Sequence, residues 1–184
     1  MTRAARPALA LDVLIASDRW QDAERAEAIV GRAIAQAAAA LSTRATELAI
    51  VLSDDSAMRV LNRRWRGIDA ATNVLSFPAK DAAGTHLGDI VLSFETIARE
   101  ARAERKPFAH HLAHLAVHGF LHLLGYDHHR QRDALRMERT ERTILHRLGV
   151  ADPYRPATKP AARRTAKNSG KRVAKRRGRR LRKA

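Results

Sequence analysis

The 184-residue chain reads as an α+β domain: a mixed, about four-stranded sheet packed by four to five helices, with a metal site at the end of a central helix. Three observations predict this. Four short apolar or β-branched runs are interspersed with longer segments of helical periodicity, an order that gives a mixed sheet. A body of about 150 residues is the length of one domain with room for a real core. His118, His122 and His128 fall at a spacing that a helix and a following turn can converge on one ion.

Residues 9–16 read as the first strand, and residues 22–41 as an alanine-rich helix whose apolar positions include Ala26, Ile29, Val30, Ala33, Ile34 and Ala37. Residues 48–52 form a short buried strand. Ser53, Asp54 or Asp55 caps the next helix, which runs through Met58, Leu61, Asn62 and Trp65 until Gly67 and Asp69 break it. Residues 72–77 are β-prone and stopped by Pro78. The polar stretch 80–86, with Gly84, separates them from a second strand at 88–94, and the two are expected to pair. Residues 95–105 are helical. Pro107 opens a histidine-rich helix over about 107–124, and a last amphipathic helix over about 131–148 carries Leu135, Met137, Ile144, Leu145 and Leu148. No internal repeat is visible.

The stretch His118-Gly119-Phe120-Leu121-His122-Leu123-Leu124-Gly125-Tyr126-Asp127-His128 carries the chemistry. His118 and His122 are four apart and share one helix face. Gly125 can take the left-handed conformation that ends a helix, so the chain can reverse and bring His128 back. Three imidazoles leave the fourth tetrahedral position of a zinc ion open for water, the arrangement of a catalytic site, and this points to hydrolysis. Metzincin proteases use the same spacing, with a glutamate general base directly after the first histidine. That position is Gly119 here, so the chemistry must differ. Seven of the nine histidines crowd positions 110–129; a lone helical histidine is more often a core or surface residue, and His110, His111, His114 and His129 are read that way.

Charge divides the chain unevenly. Fourteen basic residues and no acid occur in 155–184, which leaves 21 basic against 19 acidic residues in 1–154. The body, 1–154, is thus nearly neutral. The tail, 155–184, has only Val173 and Leu181 as large apolar residues and is expected to be disordered, because it cannot bury enough surface to offset its ordering entropy. Its charge suits a polyanion, although a solvated extension without a required role has the same composition. The absence of cysteine excludes thiolate ligands and disulfides, and no secretory or membrane segment is visible, so a cytoplasmic protein that does not engage a membrane is expected.

The histidine stretch, together with Asn62-Arg63-Arg64-Trp65-Arg66-Gly67-Ile68-Asp69, Thr72-Asn73-Val74-Leu75-Ser76-Phe77-Pro78 and Gly88-Asp89-Ile90, resembles the YbeY family of bacterial endoribonucleases, also described as ribosomal RNA maturation factors. The resemblance covers about residues 45–154, with its four motifs in the family's order. It implies that His118, His122 and His128 bind one zinc ion and that Arg66 is required for activity. It also implies a single-strand-specific endoribonuclease acting in 16S ribosomal RNA 3′-end maturation and ribosome quality control, with ribosomal RNA and the small ribosomal subunit as partners and no DNA. Trp65 stands where the family usually has tyrosine, and Ala70-Ala71 also depart from its pattern; neither position is a ligand. The basic tail has no counterpart in that pattern.

The expected chemistry is consistent with these residues. Zinc lowers the pKa of its water to about 7, which supplies a hydroxide nucleophile, and polarises a phosphate oxygen. Either that hydroxide or the 2′-hydroxyl of the RNA attacks. Arg66 offers a planar fork of donors for phosphate oxygens, although by itself an arginine at such a position is more simply a surface salt bridge. Asn73 and Ser76 are candidate substrate contacts, or plain sheet residues facing a groove. Asp127 either orients a ligand imidazole or helps end the helix, and Asp89 is equally open. Two other classes share these features. A metallopeptidase would need a base from elsewhere, such as Glu95 or Glu138, and a ribosome-assembly factor would use the zinc only structurally.

Overall fold

The computed structural model describes residues 9–43, 47–80 and 85–155. Four strands and five helices follow in the order β1 (Ala10–Ile15), α1 (Ala23–Leu41), β2 (Glu47–Ser53), α2 (Asp55–Arg66), β3 (Val74–Pro78), β4 (His86–Ser93), α3 (Phe94–Ala103), α4 (Phe108–Leu123) and α5 (Gln131–Arg147). The expected α+β class and mixed sheet are observed. The strand order is β1-β2-β4-β3, with β1, β2 and β4 parallel and β3 antiparallel to β4, so the two runs expected to pair do so. All of the basic tail except Arg155, and residues 81–84 of the polar stretch, lie outside the described residues. Among the described residues, no helix is long and apolar enough to cross a membrane.

The sheet separates two cores of unequal size. On one face α1 and α4 bury Val30, Ala33, Ile34, Leu112, Ala116 and Phe120 against Ile50, Ile90 and Leu92. On the other, α2 covers a small cluster of Met58, Leu75 and Val91. A central strand is therefore apolar on both faces, as the unbroken burial of Ile90 through Ser93 in β4 shows. The difference in helix surroundings follows from this. The helix α4 is enclosed by the sheet, α1, α3 and α5, whereas α2 turns most of its surface to solvent and buries only Met58 and Asn62.

Local signals set most of the boundaries. Asp54 is the residue that caps α2, accepting from the Ala57 amide at 2.9 Å, and Asp22 caps α1 through the Arg25 amide. Pro78 is the last residue of β3 and not the residue after it, which an edge position permits because its missing N–H would face away from β4. Pro107 is the residue before α4 and not its first turn; its carbonyl accepts from His110 and His111.

Candidate metal centre

The three motif histidines meet at the C-terminal end of α4. One imidazole nitrogen from each lies within 4.8 Å of the others, and His118 Nε2 stands 3.0 Å from His122 Nε2. Two nitrogens on one tetrahedral zinc at about 2.0–2.1 Å are separated by about 3.3 Å, so the spacing fits one ion. The turn that closes the trio has a specific hydrogen-bond pattern: the Gly125 amide donates to the His122 carbonyl and the Tyr126 amide to the Leu121 carbonyl, both at 3.0 Å. This is the Schellman arrangement, and Gly125 sits in its left-handed position at φ +81°. His128 is thereby carried back against His118 and His122, with ring centroids 5.5 and 5.1 Å away.

The environment leaves the rings able to act as ligands. Burial, reinforced by the neighbouring His118 and His128, pushes the His122 pKa down to about 4, so its lone pair is free at neutral pH. His118 Nδ1 lies 2.7 Å from Glu141 Oε1, and the Glu141 side chain is fully buried. Burial works to raise the Glu141 pKa, but the proximity of His114 and the hydrogen bonds of His118 and Tyr154 outweigh it and hold the carboxyl at about 2. An ionised carboxylate can only accept, so Nδ1 of His118 carries the proton and Nε2 presents its lone pair to the trio. The other Glu141 oxygen accepts from the Tyr154 hydroxyl, and His114 Nε2 stands 3.7 Å from it. Neither Glu141 nor Tyr154 figures in the sequence reading. The available signal was an acid at the fourth position after Met137, inside the apolar stripe that continues to Ile144, Leu145 and Leu148.

Arg66, Thr72, Asn73, Ser76, Asp127 and His129 line the same pocket as the three histidines. Arg66 ends α2 and, among the described residues, has no carboxylate within 4 Å, so it is not the surface salt bridge its position would ordinarily make it. Ser76 Oγ donates to the Gly119 carbonyl at 3.1 Å, and Asn73 Nδ2 to Glu100 Oε2 at 2.9 Å, so both candidates also tie β3 to the helices. Asp127 accepts from the amides of His128 and His129, which makes it a turn residue; among the described residues it bonds to none of the three motif histidine rings. Asp89 pairs with His86 on the sheet, outside this pocket.

Gly119 has a packing reason. A Cβ there would meet Ile90 Cγ2 at 3.0 Å and Ser76 Oγ at 3.1 Å, because α4 crosses the sheet closely at this point. A glutamate at 119 would point into the sheet. Glu95 is bonded to the Asp55 amide and Arg19, and Glu138 to Arg142; neither lines the pocket.

The fold and pocket define a class: an α+β domain that offers three converging imidazoles, able to hold a metal ion, next to an arginine without a carboxylate partner. The chain belongs to the YbeY family, whose model, described as Endoribonuclease YbeY, matches residues 15–149. Proteins named Endoribonuclease YbeY from two strains of Rhodopseudomonas palustris, BisA53 and BisB18, are 55% and 54% identical to it. These alignments cover 79% and 84% of this chain and 90% and 96% of the relatives. Another of that name, from Nitrobacter hamburgensis, is 51% identical over 84% of this chain and 87% of its own length.

Proposed function

We propose that the chain is a zinc-dependent endoribonuclease that cuts single-stranded RNA, with His118, His122 and His128 holding one ion and Arg66 serving the reacting phosphate. The observation that carries this reading is the meeting of the three histidines and a carboxylate-free arginine in one pocket, in a chain whose relatives are named endoribonucleases. Three protein ligands leave a coordination position open, unlike the four of a closed structural site, which favours catalysis over a purely structural zinc. Zinc, when bound, supplies a Lewis acid and a water of lowered pKa.

The chain's own residues do the rest. Glu141 holds the His118 ring by its Nδ1 proton, and the buried His122 stays neutral. The Arg66 guanidinium donates to phosphate oxygens and stabilises the charge that grows on them. Asn73 and Ser76 border the path of the substrate, each keeping hydrogen-bonding capacity beyond its intramolecular bonds, which for Asn73 are those to Glu100 and the Val74 amide and for Ser76 that to the Gly119 carbonyl. The 2′-hydroxyl distinguishes RNA from DNA at such a site. A peptidase reading lacks a base, since position 119 is glycine and Glu95 and Glu138 are engaged elsewhere.

On this reading the protein works in the cytoplasm on ribosomal RNA of the small subunit, in 16S 3′-end maturation and ribosome quality control. The catalytic body is 1–154, and the basic residues of 155–184 add affinity for RNA or the ribosome. Cleavage of single-stranded RNA by the metal-loaded protein tests the activity. Arg66→Ala should lower the rate on the order of 10²-fold with metal content and fold intact, and His122→Ala should lose tightly bound metal. Unchanged cleavage by the arginine variant refutes its role, full metal retention by the histidine variant refutes the ligand set, and zinc-dependent digestion of casein without RNA cleavage refutes the class.

A further inference from the structure

The last turn of α2 carries a group of side chains that the metal centre does not use. Trp65 is 63% exposed, its ring set edge-on against Phe77 with centroids 5.8 Å apart. The Arg64 guanidinium lies 5.7 Å from the centre of the same indole. Arg63, Arg64 and Arg66 share this turn, and among the described residues none has an ion-pair partner, whereas Arg59, one turn earlier, is held by a two-pronged bond to Asp69. Basic residues complement the negative end of a helix, but that role does not require an indole left in water.

The position of this group ties it to the pocket. Trp65 and Phe77 are the chain neighbours of Arg66 and Ser76, which both line the histidine pocket, and β3 is the edge strand of the sheet. A strand of nucleic acid leaving the histidines over the β3 edge therefore arrives at the indole. A flat exposed ring with the unpaired Arg64 against it, and the unpaired Arg63 on the same helical turn, provides what an unpaired base and its phosphates require: a stacking face and counter-charge.

We propose that Trp65, Arg63 and Arg64 form a landing platform for single-stranded RNA, in which the indole stacks on a base flanking the nucleotide at the histidines and the two arginines hold neighbouring phosphates. The platform rests on the endoribonuclease reading and names how that site grips its substrate. A base within a duplex is already stacked and paired, so the platform selects single strands.

The test uses the full, metal-loaded chain with one oligoribonucleotide as a single strand and as a duplex. Trp65→Ala should weaken binding of the single strand, and raise its KM, on the order of tenfold, while duplex binding changes little; Trp65→Phe should recover most of the loss. Single-stranded RNA should quench the intrinsic fluorescence, a signal absent in Trp65→Phe because the other tryptophan, Trp20, is buried. Replacing Arg63 and Arg64 together by alanine should reduce the salt slope of binding by about 1.4, which is two single-strand phosphates. A wild-type chain that cuts RNA while these variants bind it within twofold of normal overturns the platform alone, as does a loss that falls equally on the duplex. A wild-type chain that does not cut RNA overturns the activity reading itself.

Discussion

Glu141 sits 23 positions from the histidine it touches and controls that histidine's chemistry. Its buried carboxylate accepts the Nδ1 proton of His118 at 2.7 Å and also accepts from the Tyr154 hydroxyl, so the ring can turn only its other nitrogen toward His122 and His128. Partners of this kind fix the tautomer of a metal-bound histidine and raise its basicity; losing one costs metal affinity 10- to 100-fold. Glu141→Gln should therefore weaken zinc binding by about that factor, because an amide no longer supplies the negative charge. Zinc titration against a competing chelator reads this directly, and affinity within twofold of the wild type would remove Glu141 from the centre. Gly119 is a second residue whose role is spatial: its missing side chain lets α4 approach Ile90 and Ser76, and Ser76 can then reach the Gly119 carbonyl.

Among the elements, α2 and α3 cap each other. The Glu95 carboxylate, from the first turn of α3, accepts from the Asp55 amide that opens α2 at 3.0 Å. Asp55 in return accepts from the Thr96 amide in the first turn of α3, and from the hydroxyls of Ser93 and Thr96. Each helix start thus satisfies an amide of the other, and both carboxylates sit at positive helix ends. Partial burial works to raise the Asp55 pKa, but the bonds from Ser93, Thr96 and Arg99 outweigh it, and the carboxyl titrates below its ordinary value. A lowered folded-state pKa means that the stabilisation is present above the unfolded-state value near 4 and is lost as pH falls through the folded one. Asp55→Asn should cost about 1–3 kcal/mol at neutral pH, with the deficit shrinking under acid below pH ~4. Urea denaturation of both proteins across this range checks it; a deficit that persists unchanged into acid would mean that the charge is not its source.

For the whole molecule, we propose that the distribution of charge separates chemistry from affinity. Every proposed catalytic group lies between Arg66 and Glu141, in a body of nearly balanced charge, while the fourteen basic residues of 155–184 stand beyond it. Several such residues neutralise RNA phosphates and release their counterions, so affinity from them falls steeply with salt. Deleting 155–184 should weaken RNA binding and flatten its salt dependence, with the cleavage rate at saturating RNA nearly unchanged. Binding at two salt concentrations and single-turnover cleavage measure both halves. Equal slopes would leave these residues without a role in binding, and a truncated chain that binds normally but does not cut would move part of the active site into them.

By itself the sequence determined whatever depends on neighbours along the chain. The His118, His122 and His128 trio follows from a four-residue helical repeat and a glycine that ends the helix, and the four to five expected helices from periodicity, caps and the breaks at Gly67 and Gly125. The motifs around Asn62, Thr72 and Gly88 also carried the family, which the comparisons bear out. The tertiary structure alone decided the order β1-β2-β4-β3, the meeting of Arg66 with the histidines, the pairing of Asn73 with Glu100, and the choice of Glu141 over Asp127 as the carboxylate on a motif histidine ring. Those contacts join segments tens of residues apart, and they depend on how helices seat on the sheet. Local propensity does not encode that seating; close packing of the whole core does, as at Gly119, where a single added carbon would crowd Ile90 and Ser76.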